Sequence, residues 1–136
     1  MRVTWENNPQ VGVYSFSTRE GRMPNAQMEF DCSKLRDPQG QRQFSGYTGD
    51  GEQVRKWVAK DPRVDAIIQS CRMVAADLLT IQTGHSAART DWVSFSFKDP
   101  QGKWISPAVA ELVAEALSED GWKVATEHAR LEMGKR

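Results

Sequence analysis

The sequence contains no run of apolar residues approaching the ~20 needed to cross a bilayer, and its mean hydropathy is −0.61. It has no excess of either charge: 18 Lys and Arg face 18 Asp and Glu. A neutral domain lacks the long-range field that draws in nucleic acid or anionic membrane. Any RNA or DNA binding would need a local basic patch. Cysteine is scarce. Cys32 and Cys71 both lie in apolar periodic segments, and neither has a CxxC partner or a His at metal-ligand spacing. That excludes a disulfide framework and a zinc site, and leaves two buried free thiols as the expectation, which suits a reducing cytoplasm. Met1 to Pro9 has no apolar h-region, so no signal peptide is expected. Catalytic signatures are missing too: no nucleophile elbow, no HExxH, no paired carboxylates at useful spacing. The expectation is a cytoplasmic binding domain, not an enzyme, with no cofactor and no metal.

What is present fits one domain over residues 1–136, with a core from about 11 to 132. Val11 to Thr18 reads as a strand from its β-branched and aromatic residues. A polar turn, Arg19 to Asn25, follows. Ala26 to Cys32 alternates apolar and polar residues as a second strand. Ser33 to Asp50 is a long irregular stretch. Asp50 is expected to cap a short helix, Gly51 to Lys60, that turns Val54, Trp57 and Val58 inward. Asp61-Pro62 opens the next helix. Its stripe of Val64, Ile67, Ile68, Cys71, Val74, Ala75, Leu78 and Leu79 recurs at spacings of three and four, and it should end before Gly84. Asp91 to Phe97 is a third strand. Ser106-Pro107 is expected to cap a helix carrying Val109, Leu112, Val113, Ala116 and Leu117, stopped at Gly121. Trp122 to Glu127 is the last strand, parallel to the third through a right-handed crossover. The fold class is α/β: a mostly parallel sheet of about four strands flanked by helices, Rossmann-like.

The loop from Phe97 to Ser106 follows a strand and opens a helix, the place where open α/β sheets hold ligands. Gly102 permits close approach, Lys103 adds charge, and Ser106 offers a hydroxyl at a helix start that favours anions. Against an anion, Asp99 brings negative charge, and Pro100 and Pro107 remove donors. An ordinary Asp-Pro-Gln-Gly turn explains the segment equally well. Arg19, Arg22, Lys34, Arg36 and Arg42 could converge on one sheet edge, or form a solvated loop balanced by Glu20, Asp31 and Asp37. His85 and His128 are expected at the surface or a sheet edge. Trp57 and Trp122 look like core or strand residues, whereas Trp104 in its loop and Trp5 near the start suit a partner surface.

Several short motifs together resemble the RapZ C-terminal domain family. They are Ser15-Phe16-Ser17, Gly21, Pro24, Phe30-Asp31, Asp37-Pro38, Thr48-Gly49, Val54-Arg55, Val58, the run Ala108 to Leu117, Gly121, Val124, His128 and Leu131-Glu132. The resemblance spans about Val11 to Glu132. It implies an α/β domain that binds phosphorylated metabolites and regulatory RNA, oligomerises and docks protein partners. The family's kinase-like domain has no counterpart in these residues, so no ATPase function is implied. The family's glycine-rich ligand loop runs into His-Arg-Ser. Gly102, Lys103 and Ser106 keep that pattern, while Trp104 and Ile105 stand at the His and Arg positions. Arg19 and His128 also match basic positions.

Each lost hydrogen bond to charge is worth ~1.5–3 kcal/mol, so anion affinity should be weakened. The first reading is therefore a regulatory domain that contacts a protein partner through Trp104 and Ile105. A free-standing copy of this kind would suit a phage or mobile-element product acting on a host protein. The second reading keeps an anion site at Arg19, Gly102, Lys103, Ser106 and His128 for a nucleotide, a phosphorylated metabolite or a small RNA. Neither reading involves a membrane, and the resemblance adds a homo-oligomer.

Overall fold

The computed structural model describes residues 9–35, 42–44, 46–80 and 92–133. Four strands form one parallel sheet: β1 (Val11–Ser17), β2 (Met28–Asp31), β3 (Val93–Asp99) and β4 (Val124–His128), in the spatial order β2-β3-β1-β4. The helices are α1 (Glu52–Val58), α2 (Pro62–Thr80), α3 (Ile105–Glu119) and α4 (Ala129–Glu132). The third and last strands are parallel, as expected, and β1 lies between them.

Register decides which face each side chain meets. Val13 stands beside Phe95 and Thr126, and Ser15 beside Phe97 and His128. Val11, Val13, Val93, Phe95, Phe97 and Val124 line the face covered by α3 and are fully buried. The apolar stripe of α3 supplies Val109, Val113 and Leu117 to the same core. Burying a side chain of this size contributes ~1.5–3 kcal/mol. α1 and α2 pack on α3, with Val54, Val58, Val64, Cys71 and Ala75 buried.

The opposite face of the sheet carries Tyr14, Phe16, Ser96, Lys98, Glu29 and Glu127. A parallel sheet normally has helices on both faces. Here residues 18–27, which link β1 to β2, cross this second face as a strap. Ser17 Oγ accepts the Arg19 and Glu20 amides at 3.0 and 3.1 Å, fixing the strap's start. At its end the Gln27 amide donates to Ser94 Oγ at 3.0 Å, and the Ser94 amide donates to Gln27 Oε1 at 2.8 Å. This side-chain exchange replaces the strand expected from Ala26, so β2 begins at Met28.

Two helix starts differ from the expectation. Asp50 does not cap α1: Gly51 holds the cap position without a side-chain bond, and the Asp50 carboxylate accepts from the Thr48 hydroxyl. Asp61 does serve α2, its Oδ1 accepting the Arg63 amide at 3.0 Å. Ser106 lies inside α3 instead of capping it, and its hydroxyl makes no hydrogen bond among the described residues. α3 ends as expected before Gly121. The Gly121 amide bonds Ser118 O at 3.0 Å and the Trp122 amide bonds Leu117 O at 3.1 Å, the paired closure of a Schellman stop. Gly84, Asp91, Trp5 and His85 lie outside the described residues.

Both cysteines are free and buried, as expected. Burial pushes the Cys71 thiol up to about 12 and raises Cys32 well above its ordinary value, with Asp99 and Asp31 adding to the rise. Neither should react with a disulfide reagent at pH 8 until the chain is unfolded. Fast labelling of either native thiol would contradict this packing. No helix among the described residues is long and apolar enough to cross a membrane.

Candidate functional site at the carboxyl edge of the sheet

The chain leaves β1 toward β2 and leaves β3 toward α3, so the ends of these neighbouring strands form the topological switch point. The loop after β3 has the geometry of an internally bound anion. Asp99 is 4% exposed. Its Oδ1 accepts the amides of Gln101 and Gly102, both at 2.9 Å, and its Oδ2 accepts the Ser106 amide at 2.9 Å. Trp104, at the cap position of α3, contributes no side-chain capping bond. The carboxylate of Asp99 therefore does the capping from six residues upstream of the helix start, and its charge meets the positive end of the helix dipole.

The crevice between the two strand ends is also closed. Ser17 Oγ donates to Pro100 O at 2.6 Å, and the Thr18 amide donates to Asp99 O at 3.1 Å. Gly102 has φ +67, and a Cβ placed there would lie 2.7 Å from the Ser17 nitrogen. Glycine is required here for both reasons. On the outer side, the Gly49 amide donates to Lys103 O at 2.7 Å and Trp104 Nε1 donates to Tyr47 O at 2.9 Å. A Cβ at Gly49 would lie 2.1 Å from Trp104 O. Thr48-Gly49 is thereby clamped onto the start of α3.

The residues expected at this edge divide. Gly102, Lys103 and Ser106 belong to the loop, and Arg19 is exposed beside it. Ile105 does not face outward: it is 4% exposed and part of the hydrophobic core. Trp104 is half-buried, with the Lys103 ammonium 6.0 Å from its ring centre. Arg22 leaves the edge to pair with Glu127, which raises its pKa further. Lys34 is exposed. Arg36 and the side chain of Arg42 lie outside the described residues.

His128 lies at a sheet edge, as expected, at the end of the outer strand β4, but its side chain is largely buried. Its Nδ1 is 2.7 Å from Ser15 Oγ and its Nε2 is 2.6 Å from Glu111 Oε2. Its side chain and that of Glu111 are each 12% exposed, and Ser15 is fully buried. The residue order, Ser-His-Glu, is that of a hydrolase relay, but a fully buried hydroxyl offers no approach to a substrate. The chain of bonds ties β1, β4 and α3 together beneath the edge. Glu111→Gln should cost ~1–3 kcal/mol, because a buried imidazole loses a charged partner. Urea unfolding measures it, and an unchanged midpoint would contradict the tie.

No group of three metal-binding side chains occurs among the described residues. The model of the RapZ C-terminal domain family matches residues 9–132. The chain belongs to that family. Among relatives of this RapZ C-terminal domain, a protein from Cereibacter sphaeroides strain KD131 bears the name "Nucleotide-binding protein". It is 33% identical over 122 residues, 90% of this chain and 40% of that protein. A protein of the same name from Roseobacter denitrificans is 29% identical over 125 residues, 92% of this chain and 41% of that protein. This RapZ C-terminal domain thus spans about two-fifths of the length of the curated relatives it matches.

Proposed function

We propose that this RapZ C-terminal domain is a non-enzymatic regulatory binding module whose partner is a protein, met at the outer side of the carboxyl edge. The supporting observation is Asp99. The amides that would cradle a ligand's oxyanion are already bonded to a carboxylate of the same chain. Outside that closed loop stand Tyr47, 44% exposed, and the half-buried Trp104, joined through the indole N–H. Tyrosine and tryptophan are among the residue types that anchor protein contacts. Only the backbone oxygen of Tyr47 takes part in the internal bond, so Tyr47→Ala leaves the clamp intact. Affinity capture from cell extract should retain a specific protein with the native domain. Tyr47→Ala should weaken it by roughly 30-fold, the loss of one ~2 kcal/mol anchor. No specific capture, or capture indifferent to Tyr47, overturns the reading.

A second reading has one observation in its favour: the relatives named for nucleotide binding. A nucleotide, phosphorylated metabolite or small RNA would then meet Arg19 and Lys103 at the same edge, with Ser106 and His128 supporting from within. A ligand at 100 times its Kd would add ~2.7 kcal/mol of stability, read as a thermal shift. No shift with any phosphorylated compound excludes it.

A further inference from the structure

The strap shelters a cleft on the sheet face away from the helices, separate from the carboxyl-edge loop of Asp99. Its volume is about 360 Å³, and its lining includes Phe16, Met23, Pro24, Glu29, Ser96 and Lys98. The polar groups there are arranged for a ligand. Ser96 is 1% exposed, yet its hydroxyl makes no hydrogen bond among the described residues. A buried hydroxyl without a partner costs ~1–3 kcal/mol, and a bound acceptor or donor would remove that cost. Lys98 Nζ stands 3.5 Å from Glu29 Oε1, a loose pair with its donor and acceptor side by side. Phe16, Met23 and Pro24 give apolar walls. The strap is bonded at both ends and tied by Arg22 to Glu127 and by Arg130 to Glu20. The cleft therefore exists before any ligand arrives, which limits the ordering cost of binding.

We propose that this cleft binds a purine base that presents a carbonyl beside N–H groups, the edge carried by guanine. Lys98 donates to the carbonyl, and the Glu29 carboxylate accepts from the ring N–H and the exocyclic amine. Lysine donating to a guanine carbonyl and a carboxylate accepting from an exocyclic base amine are both established pairings. The ring lies against Phe16 and Met23, with the Ser96 hydroxyl free for a ring nitrogen. Adenine would place an amine against the Lys98 ammonium, and cytosine has too little ring surface to fill the walls. The proposal uses neither the edge amides nor the aromatic surface at Tyr47.

The test is NMR titration of the full chain with guanosine, adenosine and cytidine. None has a phosphate, so an anion contact cannot contribute. Guanosine should shift the amides of Met23, Glu29, Ser96 and Lys98, binding at least roughly tenfold more tightly than the other two, the discrimination expected of one two-point pair. Glu29→Gln and Lys98→Met should each erase that preference. Both side chains are partly exposed, so the fold should survive. No guanosine shift, equal affinity for the three nucleosides, or shifts confined to residues 99–106 would overturn the proposal. Failure here leaves the protein-partner reading untouched, because its readout is Tyr47.

Discussion

Gly102→Ala should destabilise the domain by about 2–5 kcal/mol. Two costs combine. An L-residue in the left-handed region costs roughly 1–2 kcal/mol, and φ here is +67. The new methyl would sit 2.7 Å from the Ser17 nitrogen and 2.9 Å from its Cα. Those are backbone atoms of the central strand, which cannot swing aside, and overpacking typically costs about 1–3 kcal/mol. Gly46 provides the control. It also has a positive φ, +86, but nothing among the described residues lies within 4 Å of its Cβ position. Gly46→Ala should therefore cost only the backbone share, about 1–2 kcal/mol. Urea unfolding separates the two variants. Equal, small effects would mean that the β1 and β3 ends are not in contact as described.

Asp99→Ala should be at least as damaging, at about 3–5 kcal/mol, and it tests the chemistry of the edge. One carboxylate serves three amides, each at 2.9 Å. Removing it leaves three donors short of a partner, two of them in buried residues, and each unsatisfied buried group costs ~1–3 kcal/mol. The Ser106 amide also sits in the first turn of α3, where negative charge stabilises the helix. Asp99→Asn should lose less, since one oxygen still accepts, but its amide nitrogen turns a donor toward a donor. Formate has the shape and charge of the missing group. It should restore part of the stability of Asp99→Ala and leave the native protein unchanged. If formate stabilises both equally, the seat is not specific to the carboxylate.

Much of this architecture was legible from the sequence, because it rests on local periodicity. The apolar spacing of Val64 through Leu79 and of Val109 through Leu117 specified α2 and α3, and Asp61-Pro62 marked the start of α2. The first half of the Asp99 seat was also within reach. An Asp followed by Pro and, three residues on, Gly bonds its own downstream amides in a turn. Its negative charge, which counts against a bound anion, can equally replace one. The second half was not visible, because Oδ2 reaches Ser106 only once the turn folds back onto the helix. Ser15, His128 and Glu111 were harder still. Strand pairing brings Ser15 and His128 side by side across 113 residues, and no local pattern encodes a register. The burial of Ile105 is hidden for a related reason. A residue at a helix start next to polar loop residues looks exposed, but here it turns into the core cluster. The strap's cleft depends on which sheet face the helix-free β1–β2 connection crosses, which follows from strand order and crossover handedness together.

Asp99 holds the place of a ligand's anion at the start of α3. Amide NMR of Gln101, Gly102 and Ser106 during titration with inorganic phosphate tests it most directly. These amides should not respond in the native chain and should show a saturable shift in Asp99→Ala. A saturable phosphate shift of the same amides in the native protein would contradict it.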